Sequence, residues 1–146
     1  KLSPLAIGKS ISFYNSKASN LNNIDIAIIG LKESRKSKKK YIDLNSFRRE
    51  FYSLYFGDWK VNLIDMGDVI NGESISDTYY AVKTINETLL KKNIISFFIG
   101  GTQDLSFPIY QTYATIVKYV NLTSIDNKLI LVRLKMILIR HLICPK

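Results

Sequence analysis

Scarcities come first in this sequence. Its 146 residues include one cysteine, one histidine, three prolines and one tryptophan. Cys144 on its own excludes an internal disulfide framework and suits a reducing, cytoplasmic setting. His141 is the only imidazole and lies far in sequence from the strand ends identified below, which argues against Ser-His-Asp or Cys-His chemistry. Together, His141 and Cys144 supply too few ligands for a structural zinc site. Phosphate-cradling loops of the Walker or dinucleotide type are absent, since neither Gly-x-Gly-x-x-Gly nor a full Gly-x-x-x-x-Gly-Lys-Ser/Thr occurs. No apolar run reaches the roughly 20 residues that span a bilayer, so no membrane segment is expected. KLSPLAIGKSISF lacks the apolar core and cleavage site of a secretory leader, and Lys1 in place of Met reads as a chain processed or cut from something longer.

What is present describes a folded domain. Apolar residues make up 47% and mean hydropathy is +0.02, ample for one packed core. The net charge of +9 is concentrated. RKSKKK (35–40) holds five basic residues, and the last twenty positions hold five more without an acid. Such a balance favours polyanions, but the aromatics recur at helical spacing, the pattern of a core rather than of base stacking. No nucleic-acid partner is expected. The 35–40 run reads as a solvated crossover loop. Asn86-Glu87-Thr88 and Asn121-Leu122-Thr123 match the glycosylation pattern, which carries no meaning without secretion.

Periodicity gives alternating strands and helices. IDIAIIG (24–30), KVNLIDMGD (60–68), NIISFFIGG (93–101) and VNLTSID (120–126) read as strands. A helix begins at Asn45 with Phe47, Phe51, Leu54 and Tyr55 on its buried face, capped by Asp43 or Asn45 and ended by a left-handed Gly57. A second, capped by Asp77 or Ser76, buries Val82, Ile85 and Leu89 and places Lys91 and Lys92 at its negative end. A third covers 106–119, with Pro108 in its first turn. The β-α-β-α-β-α-β order predicts a parallel sheet with right-handed crossovers, and ligands outside the carboxyl ends of its strands. Those ends are Gly30, Asp65 to Asp68, Gly100 to Asp104 and Asp126 to Lys128.

FIGGTQDLS followed by VNLTSIDNKL resembles the ureohydrolase family of arginases, agmatinases and formimidoylglutamases. Members carry Gly-Gly-Asp-His-Ser after one strand and Asp-Ala-His-x-Asp after the next. IAIIGLKESR, FRREFYSLYFGDW and NLIDMGDVINGESISDTYYAVKTI are similar to a bacterial branch in which Gln-Asp-Leu follows the glycine pair. The resemblance covers most of residues 24 to 129 and implies a three-layer α-β-α fold with a parallel sheet, arginase-like and truncated here to about four strands. It also implies hydrolysis of C–N bonds in linear amidines by hydroxide held between two manganese ions, which lower the pKa of bridging water. Small amidine or guanidino ligands and a homo-oligomeric assembly come with the family.

Carried across by position, the metal set is depleted. Gln103 stands at the first histidine position, Asp126 matches the first aspartate of the second motif, Lys128 takes its histidine position and Ile130 its final aspartate. Lys128 either replaces metal charge by pairing with Asp126 or Asp104, or points to solvent. Gln103 either contacts ligand or bonds nearby backbone. Gly100 and Gly101 are expected for the turn itself, and Asp104 or Thr102 to cap the helix near Ser106. A fragmentary pseudoenzyme without bound manganese is therefore expected, with a non-catalytic small-ligand or scaffold module as the alternative. Residues 1–129 read as the N-terminal half of the arginase-like domain and 130–146 as an off-family basic, apolar tail. That tail reads as a frame-shift product, a surface-docking helix or a remade terminal helix, the first being favoured because the match ends inside a motif.

Overall fold

In a computed structural model of the chain, the described residues are 3–16, 20–37 and 43–116. Their elements run α1 (Ile7–Ser10), β1 (Ser12–Phe13), β2 (Ile26–Leu31), α2 (Leu44–Ser53), β3 (Leu63–Val69), α3 (Ile75–Lys91), β4 (Ile95–Gly100), a 3₁₀ turn (Gln103–Leu105) and α4 (Ser106–Ile116). All pairings are parallel, in the order β1-β3-β2-β4. The expected strands at 24–30, 60–68 and 93–101 are present with shifted ends, whereas VNLTSID and the tail lie outside the described residues. The two-residue β1 was not expected, being too short for an alternating pattern to register.

Helices flank both faces, as an α-β-α sandwich requires. On one face Ala27, Ile29 and Leu31 of β2 pack with Ile64, Val82, Leu89 and Leu105 beneath α3 and α4. On the other, Ile28 and Leu63 pack with Ile7, Ile11, Phe51 and Tyr52 beneath α1 and α2. The period-2 alternation of β2 thus splits one apolar run between two cores.

The helices correct three expectations. Asp43 caps α2 as expected, its carboxylate accepting from the backbone N–H groups of Asn45 and Ser46 at 3.1 Å. But α2 ends at Ser53, short of Gly57, because Leu54 to Phe56 turn extended and exchange backbone bonds with Leu5 and Ile7. Gly57 (φ +69°) shapes a later turn instead. The cap of α3 is Ser74, not Ser76, and it forms a capping box in which Asp77 bonds back to the Ser74 N–H at 2.7 Å. The expected buried face of α2 is also displaced. Phe47, Leu54 and Tyr55 are exposed, and Leu44, Arg48 and Tyr52 at i, i+4 and i+8 turn inward, with Phe51 beside them.

Candidate functional site

The strand order makes one place special. From β2 the chain moves to β3 on one side, then crosses back over β2 to β4 on the other. The connections thus change direction between β2 and β4, and in open α/β sheets the carboxyl ends of such a strand pair are where ligands bind.

Gly100 ends β4 there, and Gly101 follows it. Both have positive φ (+83° and +75°), a region that costs an L-residue about 1–2 kcal/mol. At Gly101 a Cβ would also sit 2.4 Å from Leu105 Cδ1 and 3.2 Å from Leu31 Cβ. The turn requires both glycines, as their sequence position implied, and packing against β2 adds a second requirement at Gly101.

The polar residues that follow are not caps. Thr102 holds the N-cap position of the 3₁₀ turn but makes no side-chain capping bond, and Asp104 lies inside that turn. Asp104 instead accepts a hydrogen bond from the Tyr79 hydroxyl of α3, and its Oδ2 lies 3.4 Å from the Lys36 ammonium of the loop after β2. Lys36 donates to the Tyr79 hydroxyl at 2.8 Å and lies over the same ring. Burial would raise the Asp104 pKa, but the Thr102 hydroxyl, then the Tyr79 hydroxyl, its own backbone N–H and the Lys36 charge outweigh it, and the carboxyl stays below its ordinary range. Burial, followed by the bond to Asp104, moves the Tyr79 phenol up. Gln103 is exposed, and its backbone carbonyl accepts from Ser106 Oγ at 2.5 Å.

A second charged cluster lies under α2. Asp65, 3% exposed, accepts from Arg48 Nε at 2.7 Å, from Arg48 Nη2 at 3.2 Å, from the Tyr52 hydroxyl and from the Gly67 N–H at 2.7 Å. Asp68 takes Arg48 Nη1 at 2.6 Å and Lys32 Nζ at 2.7 Å. Burial pulls the Arg48 pKa down, but its bonds to Asp65 and Asp68 win and the net direction is up. Burial and then the Asp65 bond push the Tyr52 phenol up. A bulge opposite Ile28 to Gly30, with Gly67 at φ +79°, turns both aspartates of β3 toward α2.

The third cluster ties the β2 exit to α3. Glu33, 1% exposed, bonds the Arg35 guanidinium and the Thr78 hydroxyl, while Arg35 also reaches the backbone carbonyls of Glu73 and Ser74. The Arg35 side-chain bond leads in holding the Glu33 carboxyl at about 2, against the opposing effect of burial. A carboxyl whose folded pKa is depressed stabilises the fold above its unfolded pKa, near 4.5, and loses that contribution as pH falls toward 2. Between pH 6 and pH 2 the wild type is expected to lose up to about 3 kcal/mol more than Glu33→Gln. Urea titrations at several pH values read this difference directly, and parallel acid limbs would disprove it.

Comparison with solved structures decides the fold. The chain superposes on formimidoylglutamase from Bacillus subtilis subsp. subtilis str. 168 with a TM-score of 0.60 at 15% identity, covering 75% of this chain and 37% of that one. It superposes on a hypothetical agmatinase from Burkholderia thailandensis with a TM-score of 0.59 at 14% identity, covering 77% and 38%. The fold is that of the N-terminal half of a ureohydrolase. No protein-family model matches the chain, and no curated protein does. The chain spans less than two fifths of the length of each solved relative.

The family resemblance in the sequence implies paired manganese, and the described residues do not fit it. Asp104, Asp65 and Asp68 already hold Lys36, Arg48 and Lys32. Paired divalent cations favour anionic carboxylates to offset their charge, and Gln103 offers only a neutral amide oxygen. Among the described residues no group of three or more His, Cys, Asp or Glu side chains could hold a metal ion. Asp126, Lys128 and Ile130 lie outside the described residues. The side chains that sequence reasoning missed are Lys32, Lys36, Arg48 and Tyr79. The available signal was charge balance, since acids on a buried strand require cations on the helix above them. Asn86 of the glycosylation pattern is buried, donating to the Ile109 carbonyl and accepting from Ser96 Oγ.

Proposed function

We propose that this chain is the N-terminal half of a catalytically silent ureohydrolase. By descent it is a hydrolase of C–N bonds in linear amidines, and in this chain it holds no dinuclear manganese centre and turns nothing over. The observation that carries this reading is the Lys36 ammonium, 3.4 Å from Asp104 beyond the carboxyl ends of β2 and β4. Fixed positive charge at that carboxylate repels an incoming divalent cation. The substitutions at Gln103, Lys128 and Ile130, with Asp126 alone keeping its family position, agree with it. Among the described residues no helix is long and apolar enough to cross a membrane, and a cytoplasmic location fits the lone Cys144.

The test pairs metal analysis with an amidine- and guanidine-hydrolysis assay on the full chain after incubation with manganese. The expected result is no stoichiometric manganese after desalting and no urea, formamide or ammonia release above blank. Stoichiometric manganese on its own, or turnover on its own, would refute the proposal.

A further inference from the structure

Only one glycine in the sequence follows an asparagine: Asn71-Gly72, in the turn between β3 and α3. Asparagine is thermolabile, and most so before glycine, which has no side chain to keep its backbone nitrogen from the asparagine amide carbon. That nitrogen, once it loses its proton, attacks Asn71 Cγ and displaces ammonia, closing a five-membered succinimide. Water then opens the ring at either carbonyl. One opening gives aspartate, the other isoaspartate, whose main chain runs through the former side chain. The sum is asparagine plus water to an aspartyl isomer plus ammonia, without oxidant, metal or partner. Asn71 is exposed, so water reaches it.

The fold holds the nucleophile back. The Gly72 N–H donates to Thr78 Oγ1 at 3.0 Å. Thr78 is 1% exposed, and its hydroxyl also accepts from Arg35 Nη2 at 3.1 Å and donates to Glu33 Oε2 at 3.1 Å. With its proton and both lone pairs engaged, the hydroxyl has no freedom to turn away from Gly72. The turn itself is tightly packed. A Cβ on Gly72 would lie 2.3 Å from Asp77 Cβ and 3.2 Å from the Thr78 nitrogen, hard against the capping box of α3. Attack on Asn71 needs the amide deprotonated and moved, and both require the Thr78 bond to open first.

We propose that Asn71 is a self-modification site held latent by Thr78: it converts to aspartate and isoaspartate once the Thr78 hydroxyl releases the Gly72 amide. The tie from the β2 exit through Glu33 and Thr78 to this turn thereby sets the chemical lifetime of the chain. Isoaspartate adds a main-chain atom directly before Gly72, where the packing leaves no room, so the network does not re-form around the product. The inference stands on the turn and its hydrogen bonds, independently of the proposed inactivity.

Peptide mapping by mass spectrometry of the full chain, incubated at mildly alkaline pH, provides the test. Folded wild type is expected to convert Asn71 at least about tenfold more slowly than the same chain unfolded in urea. Folded Thr78→Val should convert roughly tenfold faster than wild type, the effect of stranding a buried amide. Thr78→Ser, which keeps the hydroxyl, should stay near the wild-type rate. So should Asp65→Ala, which weakens the fold away from this turn. Equal rates in folded and unfolded wild type, or a folded Thr78→Val no faster than wild type, would overturn the proposal. Acceleration of Thr78→Ser or Asp65→Ala to the Thr78→Val rate would do the same. If Thr78→Val does not fold, the comparison of folded with unfolded wild type decides alone.

Discussion

Asp65→Ala is expected to destabilise the protein by about 3 kcal/mol, the low end of the loss on breaking a buried ion pair. The carboxylate accepts four hydrogen bonds in the space between β3 and α2, from Arg48 twice, Tyr52 and the Gly67 N–H. Removing it strands a guanidinium that is itself only 14% exposed. Asp68 continues to hold Arg48 Nη1, which places the loss at the lower end. A domain of this size has a total stability of about 5–15 kcal/mol, so the change is visible as a large drop in urea midpoint. The double variant Asp65→Leu/Arg48→Met separates this account from simple cavity formation. Once both charges are replaced by apolar groups, most of the loss should return. A single variant within 1 kcal/mol of wild type would mean that water, not Asp65, satisfies Arg48.

Gly30→Ala is the second large effect, expected at about 2–3 kcal/mol. The cause is space. Gly30 faces α2, and a Cβ there would lie 2.0 Å from Asp68 Oδ1 and 2.8 Å from Leu44 Cδ1. Leu44 is the buried first residue of α2. Accommodation turns Asp68 away, which costs its contacts with both Lys32 and Arg48. The loss in Gly30→Ala/Asp68→Ala should therefore fall well short of the sum of the two single losses. Strict additivity in chemical denaturation would show that Gly30 serves some other purpose.

Much of the fold was legible in residue order. Ile26 to Leu31, Leu63 to Val69 and Ile95 to Gly100 are short apolar runs bounded by polar turns, and both burial and local propensity act on them alike. Asp43 is legible because a cap acts over two or three residues. The glycine pair is legible because positive φ is a property of the residue itself. The buried face of α2 was not. Phe47, Leu54 and Tyr55 satisfy an apolar period, yet the sheet beneath α2 offers Asp65 and Asp68, and Arg48 answers them. A period finds an amphipathic face only when the opposing surface is apolar.

The sequence by itself determined that this is a parallel α/β domain, where three of its strands lie to within a few residues, that a glycine turn follows the third long strand, and its likeness to ureohydrolases. Strand neighbours, and with them the change of direction between β2 and β4, came only from the tertiary structure, because a parallel pairing leaves no local trace in either partner. The same holds for the ions. Lys36 meets Asp104, and Arg48 meets Asp65 and Asp68, across distances in sequence that no spacing rule covers. Whether a strand-end carboxylate faces a metal or a lysine depends on which loop the fold brings beside it.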